Sequence, residues 1–286
     1  MYQPMYHANM HLHSTYSDAA FTPKQLVLIG KALGYKALIL TDHETDGGWP
    51  EFSYAAKGQN IDTFVGAEFY GNFEGKSLHL TALDYDYNDP CIREFIRRRC
   101  EKRTEYTRVL FERALENGWI EGITWEQIMA LVGPDTWVCH DTVQNIVKTL
   151  RIVPYDFDWS TFRKNAWFSP EAKALKGPGF SPTAEEVIHV VRNAGGVVAL
   201  AHPEGQVHLV EKLLDFGLNG IEVCHPDISN ETVTLATEAA KAFNLYRCGG
   251  TDHTGPMSAC GGHLAIPAFH GISEEDYNIL KERRLD

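Results

Sequence analysis

His11-Leu12-His13 stands five residues ahead of Asp18, and patches of the same residue types recur at Thr41-Asp42-His43, Glu68, His79, His202 and Asp252-His253. Imidazole and carboxylate without thiolate form a donor set suited to Zn²⁺, Mn²⁺ or Fe²⁺. On a strand, residues two apart leave the same face of the pleat, so His11 and His13 can grip one cation. A carboxylate bridging two such cations would hold them close enough to share a hydroxide, a nucleophile for hydrolysis near neutral pH. Taken singly, His43 or His79 reads as a hydrogen-bonded interior histidine and Glu68 as an ordinary strand-end carboxylate. The ordered set is what argues for metal.

The elements that must position these groups follow from hydrophobic periodicity. Short apolar runs at 8–13, 37–40, 63–69, 78–83, 197–201, 220–223 and 245–248 read as strands. Amphipathic stretches at 23–33, 184–194, 207–216 and 229–243 read as helices. This alternation predicts a mostly parallel sheet with helices outside it. Thr22-Pro23 is a helix start and Gly34 a stop. His11 and His13 close the first strand, Thr41-Asp42-His43 follows the second, Glu68 ends the third, His202 follows the fifth, and Asp252-His253 follows the last. Strand ends of this kind converge at the carboxyl-terminal mouth of a parallel barrel. His79 differs in beginning its strand.

Between 90 and 180 the pattern turns helical (92–117, 124–131, 141–150) and then irregular, and Gly177-Pro178-Gly179 with Ser181-Pro182 marks the return. The expected organisation is a barrel from 1–89 and 181–286, with 90–180 as a helical insertion. Trp119, Trp125, Trp137, Trp159 and Trp167 crowd that insertion. They read mostly as its core, with room for one to stack on a nucleobase or sugar.

The chain has 286 residues and a formal net charge of −12. That balance argues against tracking a nucleic-acid backbone, which needs clustered Lys and Arg. The basic cluster Arg93, Arg97, Arg98, Arg99, Lys102 and Arg103 is interleaved with Glu94, Glu101 and Glu105, which predicts a solvated, salt-bridged helix face. No run approaches the ~18 apolar residues of a membrane span, and the first ten residues lack the build of a signal peptide. The expectation is a cytoplasmic protein with no membrane partner. Cys91, Cys100, Cys139, Cys224, Cys248 and Cys260 form no CxxC pair and read as reduced thiols.

The order HxH, Asp, TDH, GAE, LHL, AHP and GTDH resembles the polymerase and histidinol phosphatase (PHP) superfamily over essentially the whole chain. It most resembles the stand-alone phosphoesterase branch that carries a helical insertion. The resemblance implies a distorted (β/α)7 barrel. It implies that His11, His13, Glu68 and Asp252 bind one metal, that Glu68 bridges to a second held by His79 and His202, and that Asp18 and His43 hold a third. His140 matches a histidine of related phosphoesterases, and Arg163, Lys164 and Lys176 resemble substrate-binding basic positions. Arg163, Lys164 and Lys176 read equally well as exposed loop charges. Relatives often carry an arginine two places before the His140 position, where this chain has Val138.

One departure concerns the last motif, Asp-x-His in the family but Gly250-Thr251-Asp252-His253-Thr254-Gly255 here. In an extended chain Thr254, not His253, shares the face of Asp252. Gly255-Pro256 offers a turn that would bring His253 inward. Either His253 serves as a shifted ligand, or the working centre is binuclear. In the binuclear case Asp18 or His43 is free to protonate the leaving oxygen.

The resulting expectation is a metal-dependent hydrolase of small phosphate esters, on a nucleotide or phosphorylated sugar. It would use two or three divalent cations and a metal-bound hydroxide on monoesters and cyclic phosphodiesters. The alternatives are a histidinol-phosphate phosphatase, an oligonucleotide exonuclease and a non-catalytic metal-binding regulatory module. Beyond nucleotides, no nucleic-acid partner is expected, because the composition shows no basic, aromatic-lined channel.

Overall fold

The computed structural model describes residues 6–154, 156–255 and 269–285. Pro256 and Cys260 lie outside the described residues; the remaining cysteines are free thiols. Strands β1 (Ala8–Asn9) and β2 (Ala37–Leu38) pair in parallel, with α1 (Pro23–Leu33) crossing between them. Thr22 caps α1 by accepting from the Gln25 backbone N–H, and Gly34 ends it with φ of 92°, as its sequence predicts. Helix α2 (Trp49–Gln59) precedes β3 (Gly66–Phe73) and β4 (Lys76–Leu83). Hydrophobic periodicity does not announce α2, because only Phe52 and Ala56 of it are buried, too narrow an apolar stripe.

A five-stranded sheet runs β3-β4-β5-β6-β7, with β5 at Val197–Leu200, β6 at Gly220–Cys224 and β7 at Tyr246–Gly249. β5, β6 and β7 pair in parallel, whereas β4 is antiparallel to both β3 and β5. The expectation of a mostly parallel sheet is corrected at this strand. Glu74 and Gly75, both at positive φ, form the two-residue turn of a β3–β4 hairpin. Isolated bridges Ala37↔Asp62 and His43↔Glu68 join the β2 side to β3, and Leu12↔His253 joins the β1 side to the chain beyond β7. The two sheets thereby close into a distorted (β/α)7 barrel.

Outside the strands lie α8 (Ala184–Asn193), α9 (Val210–Leu214), α10 (Asn230–Ala242) and α11 (Glu274–Lys281). Strand interiors such as Phe69, Leu80, Val198 and Ile221 pack with Val187, Ile188 and Val191 of α8 in the main core. Between β4 and β5 come α3 (Pro90–Glu116), α4 (Trp125–Met129), α5 (His140–Thr149), α6 (Trp159–Ala166) and α7 (Pro170–Ala174). Ile92, Phe95 and Ile96 at the root of α3 pack into the barrel core. Leu110, Phe111 and Ala114 near its tip pack with Val143, Val147, Phe162 and Trp167 in a separate cluster. Trp119, Trp125 and Trp159 flank that cluster, whereas Trp137 packs with Cys100 and Cys139.

The basic cluster on α3 is not uniformly a solvated face. Arg97 pairs with Glu94 and Glu101 at 2.7 Å in the open, as expected. Arg99 and Arg103 are only 6% and 7% exposed, and both reach Glu44, Arg99 Nε at 2.9 Å and Arg103 Nε at 3.1 Å. Arg93 turns to Asp46. These residues occupy the inward face at helical spacing, so their charges answer to buried carboxylates. No helix among the described residues is long and apolar enough to cross a membrane.

Candidate metal centre

The chain beyond β1 carries His11 and His13 into the barrel mouth, where their Nε2 atoms lie 3.1 Å apart. His13 Nε2 is 2.9 Å from Asp252 Oδ1 and His11 Nε2 is 3.6 Å from the same atom. Glu68 stands at the centre. Its Oε2 lies 3.3 Å from His11 Nε2, 3.4 Å from His13 Nε2 and 3.0 Å from His43 Nδ1. Its Oε1 faces His79 Nδ1 at 3.0 Å and His202 Nε2 at 3.3 Å. His79 is the fourth residue of β4 rather than its first, and because β4 runs against β5 it lies just beyond the end where β5 finishes. Asp18 Oδ1 is 3.7 Å from His13 Nδ1, and its Oδ2 is 3.8 Å from His43 Nε2.

Asp42 fixes the loop that presents Asp18. It accepts from the Ser14 backbone N–H, the Ser14 hydroxyl and the Ser17 hydroxyl, each at 2.6 Å. Its role is thus to hold the loop. Behind His11, Glu222 Oε1 lies 2.7 Å from Nδ1, and Glu222 Oε2 accepts from the His202 backbone N–H at 2.6 Å. A carboxylate on the far nitrogen orients a ligating imidazole and raises its basicity. His225 Nε2 lies 3.3 Å from Asp252 Oδ2. The Asp227 backbone N–H donates to His225 Nδ1 at 3.0 Å, so the proton of neutral His225 sits on Nε2, facing the carboxylate.

Sequence reasoning missed Glu222 and His225. His225 had a signal, since Cys224-His225-Pro226 follows β6 as Ala201-His202-Pro203 follows β5. A carboxylate inside a strand, like Glu222, carries none.

Asp252 has φ of 46°, a left-handed turn that ends strand alternation at this point. The backbone of His253 then pairs with Leu12, and its ring stacks on Phe21 at 5.4 Å. Among the described residues His253 joins none of the groups of metal-ligating side chains. The structure therefore brings His11, His13, Asp18, His43, Glu68, His79, His202 and Asp252 together and leaves the His253 ring apart.

These residues fit cations. His13 Nδ1, His43 Nδ1 and Glu68 Oε2 are buried without a hydrogen-bond partner, and pairs of imidazole nitrogens face one another at about 3 Å. Burial works against charge on His11, yet Glu222, Glu68 and Asp252 raise its pKa well above the ordinary value. Burial likewise opposes ionisation of Glu68, and His43, His11 and His79 hold it well below the carboxylate range. The site demands positive charge at its centre.

Close packing enforces the geometry. A Cβ at Gly250 would collide with the His11 backbone nitrogen, the Asn9 side chain and His11 Cβ. Gly250→Ala is expected to cost about 1–3 kcal/mol of stability and to lower bound metal, checked by urea denaturation and elemental analysis. A variant as stable and metal-rich as the parent would show that the contact relaxes freely.

His140 begins α5 beside Asp141 Oδ2 at 3.3 Å and Arg163 Nη2 at 3.5 Å. It lines a cavity of about 780 Å³ that also includes Tyr70, Trp137, Arg103 and Lys176. Lys164 is exposed and does not line it. Tyr70 joins cavity to centre, stacking on His43 at 5.1 Å and meeting His79 edge-on at 4.5 Å. The aromatic-lined cationic cavity that composition did not reveal is present, because folding gathers its members from β3, α3, α5 and the loop after α7.

Residues 9–133 match the family model of the PHP domain. The chain is 28% identical to a 5′-3′ exoribonuclease of Haemophilus influenzae, over 85% of this chain and 88% of the relative. It is 26% identical to a 3′,5′-nucleoside bisphosphate phosphatase of Chromobacterium violaceum, over 88% of each. A Bifidobacterium adolescentis protein classed with the metal-dependent phosphoesterases superposes with a TM-score of 0.77 at 24% identity, covering 99% of this chain and 98% of its own. That likeness is one of fold and extends over nearly the whole of both chains. The histidines and carboxylates of the mouth stand where the ordered motifs put them, and those from His11 to His79 fall within the stretch that matches the PHP domain.

Proposed function

We propose that the chain hydrolyses phosphate esters of nucleotides with two or three divalent cations, Mn²⁺, Zn²⁺ or Fe²⁺, at the barrel mouth. The observation that carries this reading is Glu68, whose two oxygens face separate groups of imidazoles. Cations held there would polarise phosphoryl oxygens and acidify water. The chain's own residues do the rest. Tyr70 and Trp137 fix the plane of His43 by ring contacts at 5.1 and 5.7 Å. Burial pushes the His140 imidazole below its ordinary value, opposed by Asp141 and reinforced by Arg163. At neutral pH it therefore presents an uncharged N–H to a phosphoryl oxygen. Arg163 beside it supplies charge. With two cations, Asp18 or His43 protonates the leaving oxygen; with three, both are ligands. His253, stacked on Phe21, favours the two-cation form. Residues 90–180 act as the cap that closes over the substrate.

A second reading, removal of nucleotides from an RNA end, draws on the cationic aromatic cavity and on the exoribonuclease relative. Nucleoside monophosphates, bisphosphates, cyclic diesters and short oligoribonucleotides assayed with Mn²⁺ separate the readings. Turnover of at least one class is expected, abolished by chelation and restored by metal. Activity that survives complete chelation would end the metal reading. Activity on oligonucleotides alone would select the second.

A further inference from the structure

Asp18, His13 and His43 frame one corner of the metal centre, with Asp18 Oδ1 3.7 Å from His13 Nδ1 and Oδ2 3.8 Å from His43 Nε2. The His253 ring is turned to Phe21 and adds nothing to this corner. A cation held by so few side chains depends on how well each is placed by its neighbours. Elsewhere the bracing comes from the barrel itself. Glu222 backs His11, and Asn9 Oδ1 accepts from the backbone N–H groups of His11 and Thr251 at 3.3 and 3.2 Å.

The Asp18 corner is braced from two sides. The serine side chains of its loop belong to the barrel, through the bonds of Ser14 and Ser17 to Asp42. The carbonyls of the same loop belong to the insertion. The Trp137 backbone N–H donates to the Tyr16 carbonyl at 2.9 Å. The Thr142 hydroxyl donates to the Ser17 carbonyl at 2.8 Å, and the Cys139 thiol reaches the same oxygen at 3.5 Å. Thr142 and Ser17 are both buried, so water competes little for this bond. Thr142 Oγ1 accepts from the Cys139 backbone N–H at 3.2 Å, which leaves its one proton for Ser17. Burial pushes the Cys139 thiol well up, so it stays a donor. The Ser17 carbonyl and the Asp18 N–H form one planar peptide unit, and fixing that oxygen fixes the plane from which the Asp18 side chain departs. On the opposite flank, Trp137 meets His43 edge-on at 5.7 Å. Both flanks of this corner therefore rest on residues 137–142.

We propose that Thr142 is a positioning residue, through which the insertion sets the hold on a cation at the Asp18 corner, while the barrel sets the hold on the cations around Glu68. The inference rests on the metal-centre reading and deepens it. It makes the count of bound cations a property of how the insertion is seated: three where the Ser17 carbonyl is held, two where it is released.

The test titrates the metal-stripped parent, Thr142→Val and Thr142→Ser with Mn²⁺, reading free Mn²⁺ by electron paramagnetic resonance and bound metal by elemental analysis. Asp18→Asn marks which class of site belongs to this corner. In Thr142→Val that class should weaken about tenfold, the effect of one lost buried hydrogen bond, with the other classes unchanged. Thr142→Ser keeps the hydroxyl and should bind as the parent does. A merely structural role weakens every class together, and that result overturns the proposal. So does a valine variant that binds like the parent, a serine variant as weak as the valine one, or an Asp18→Asn titration that matches the parent's. A parent that binds no Mn²⁺ fails the metal reading itself and takes the proposal with it. Should Thr142→Val not fold, Thr142→Ala removes the same hydroxyl with a better helix former and is judged by the same outcomes.

Discussion

Glu68→Gln is expected to strip the centre of metal and to lower phosphoester turnover on the order of 10³-fold or more. The substitution keeps the volume and removes the charge that His11, His13, His43, His79 and His202 surround. Glu68 is fully buried, so no solvent ion can replace it. A glutamine must also offer an amide N–H to one of the two groups of imidazoles, where a donor opposes a cation. Elemental analysis of the purified variant and steady-state turnover are the measurements. A variant that retains the parent's metal count and rate would remove Glu68 from the bridging role. Loss of one metal with substantial activity would assign it to a single cation.

Glu44→Gln should act on stability rather than chemistry. Glu44 is fully buried and at φ of 57°; it holds Arg99 and Arg103 and accepts from the Tyr70 backbone N–H at 3.1 Å. Removing its charge leaves two buried guanidinium groups without a counter-ion, a loss of about 3–5 kcal/mol by analogy with other broken buried pairs. Urea denaturation of parent and variant gives the difference directly. A change below about 1 kcal/mol would mean that water or main-chain oxygens already carry these charges.

The gathering of these side chains was largely legible because a parallel barrel sends strand ends to one mouth, and His11, His13, His43, His202 and Asp252 lie past such ends, whereas Glu68, expected to end its strand, is the third residue of β3. Asp18 was legible from its place after the first pair. His79 was legible as a residue but not in its geometry, since strand direction depends on the Glu74-Gly75 turn. Arg99 and Arg103 continue the series Ile92, Ile96, Arg99, Arg103, Thr107 and Leu110, the inward stripe of α3 by helical spacing. The neighbouring glutamates drew attention to the outer face instead. His253 shows the opposite limit. Alternation along an extended strand argued for Thr254 in place of His253, but the left-handed turn at Asp252 means that alternation stops one residue earlier.

Helix α3 has its root among barrel residues and its tip in the core of the insertion, within one unbroken run of 27 residues. At 1.5 Å per residue such a rod is about 40 Å long. It works as a shared stave. The insertion is therefore not a cassette that recombination or engineering can lift out at Pro90 and exchange for that of a relative. A graft would have to begin within α3, beyond Ile96, and would carry Arg99 and Arg103 across with their partner Glu44 left behind. Exchange of substrate preference between relatives would then require paired changes in the barrel and the insertion, not a change in either alone.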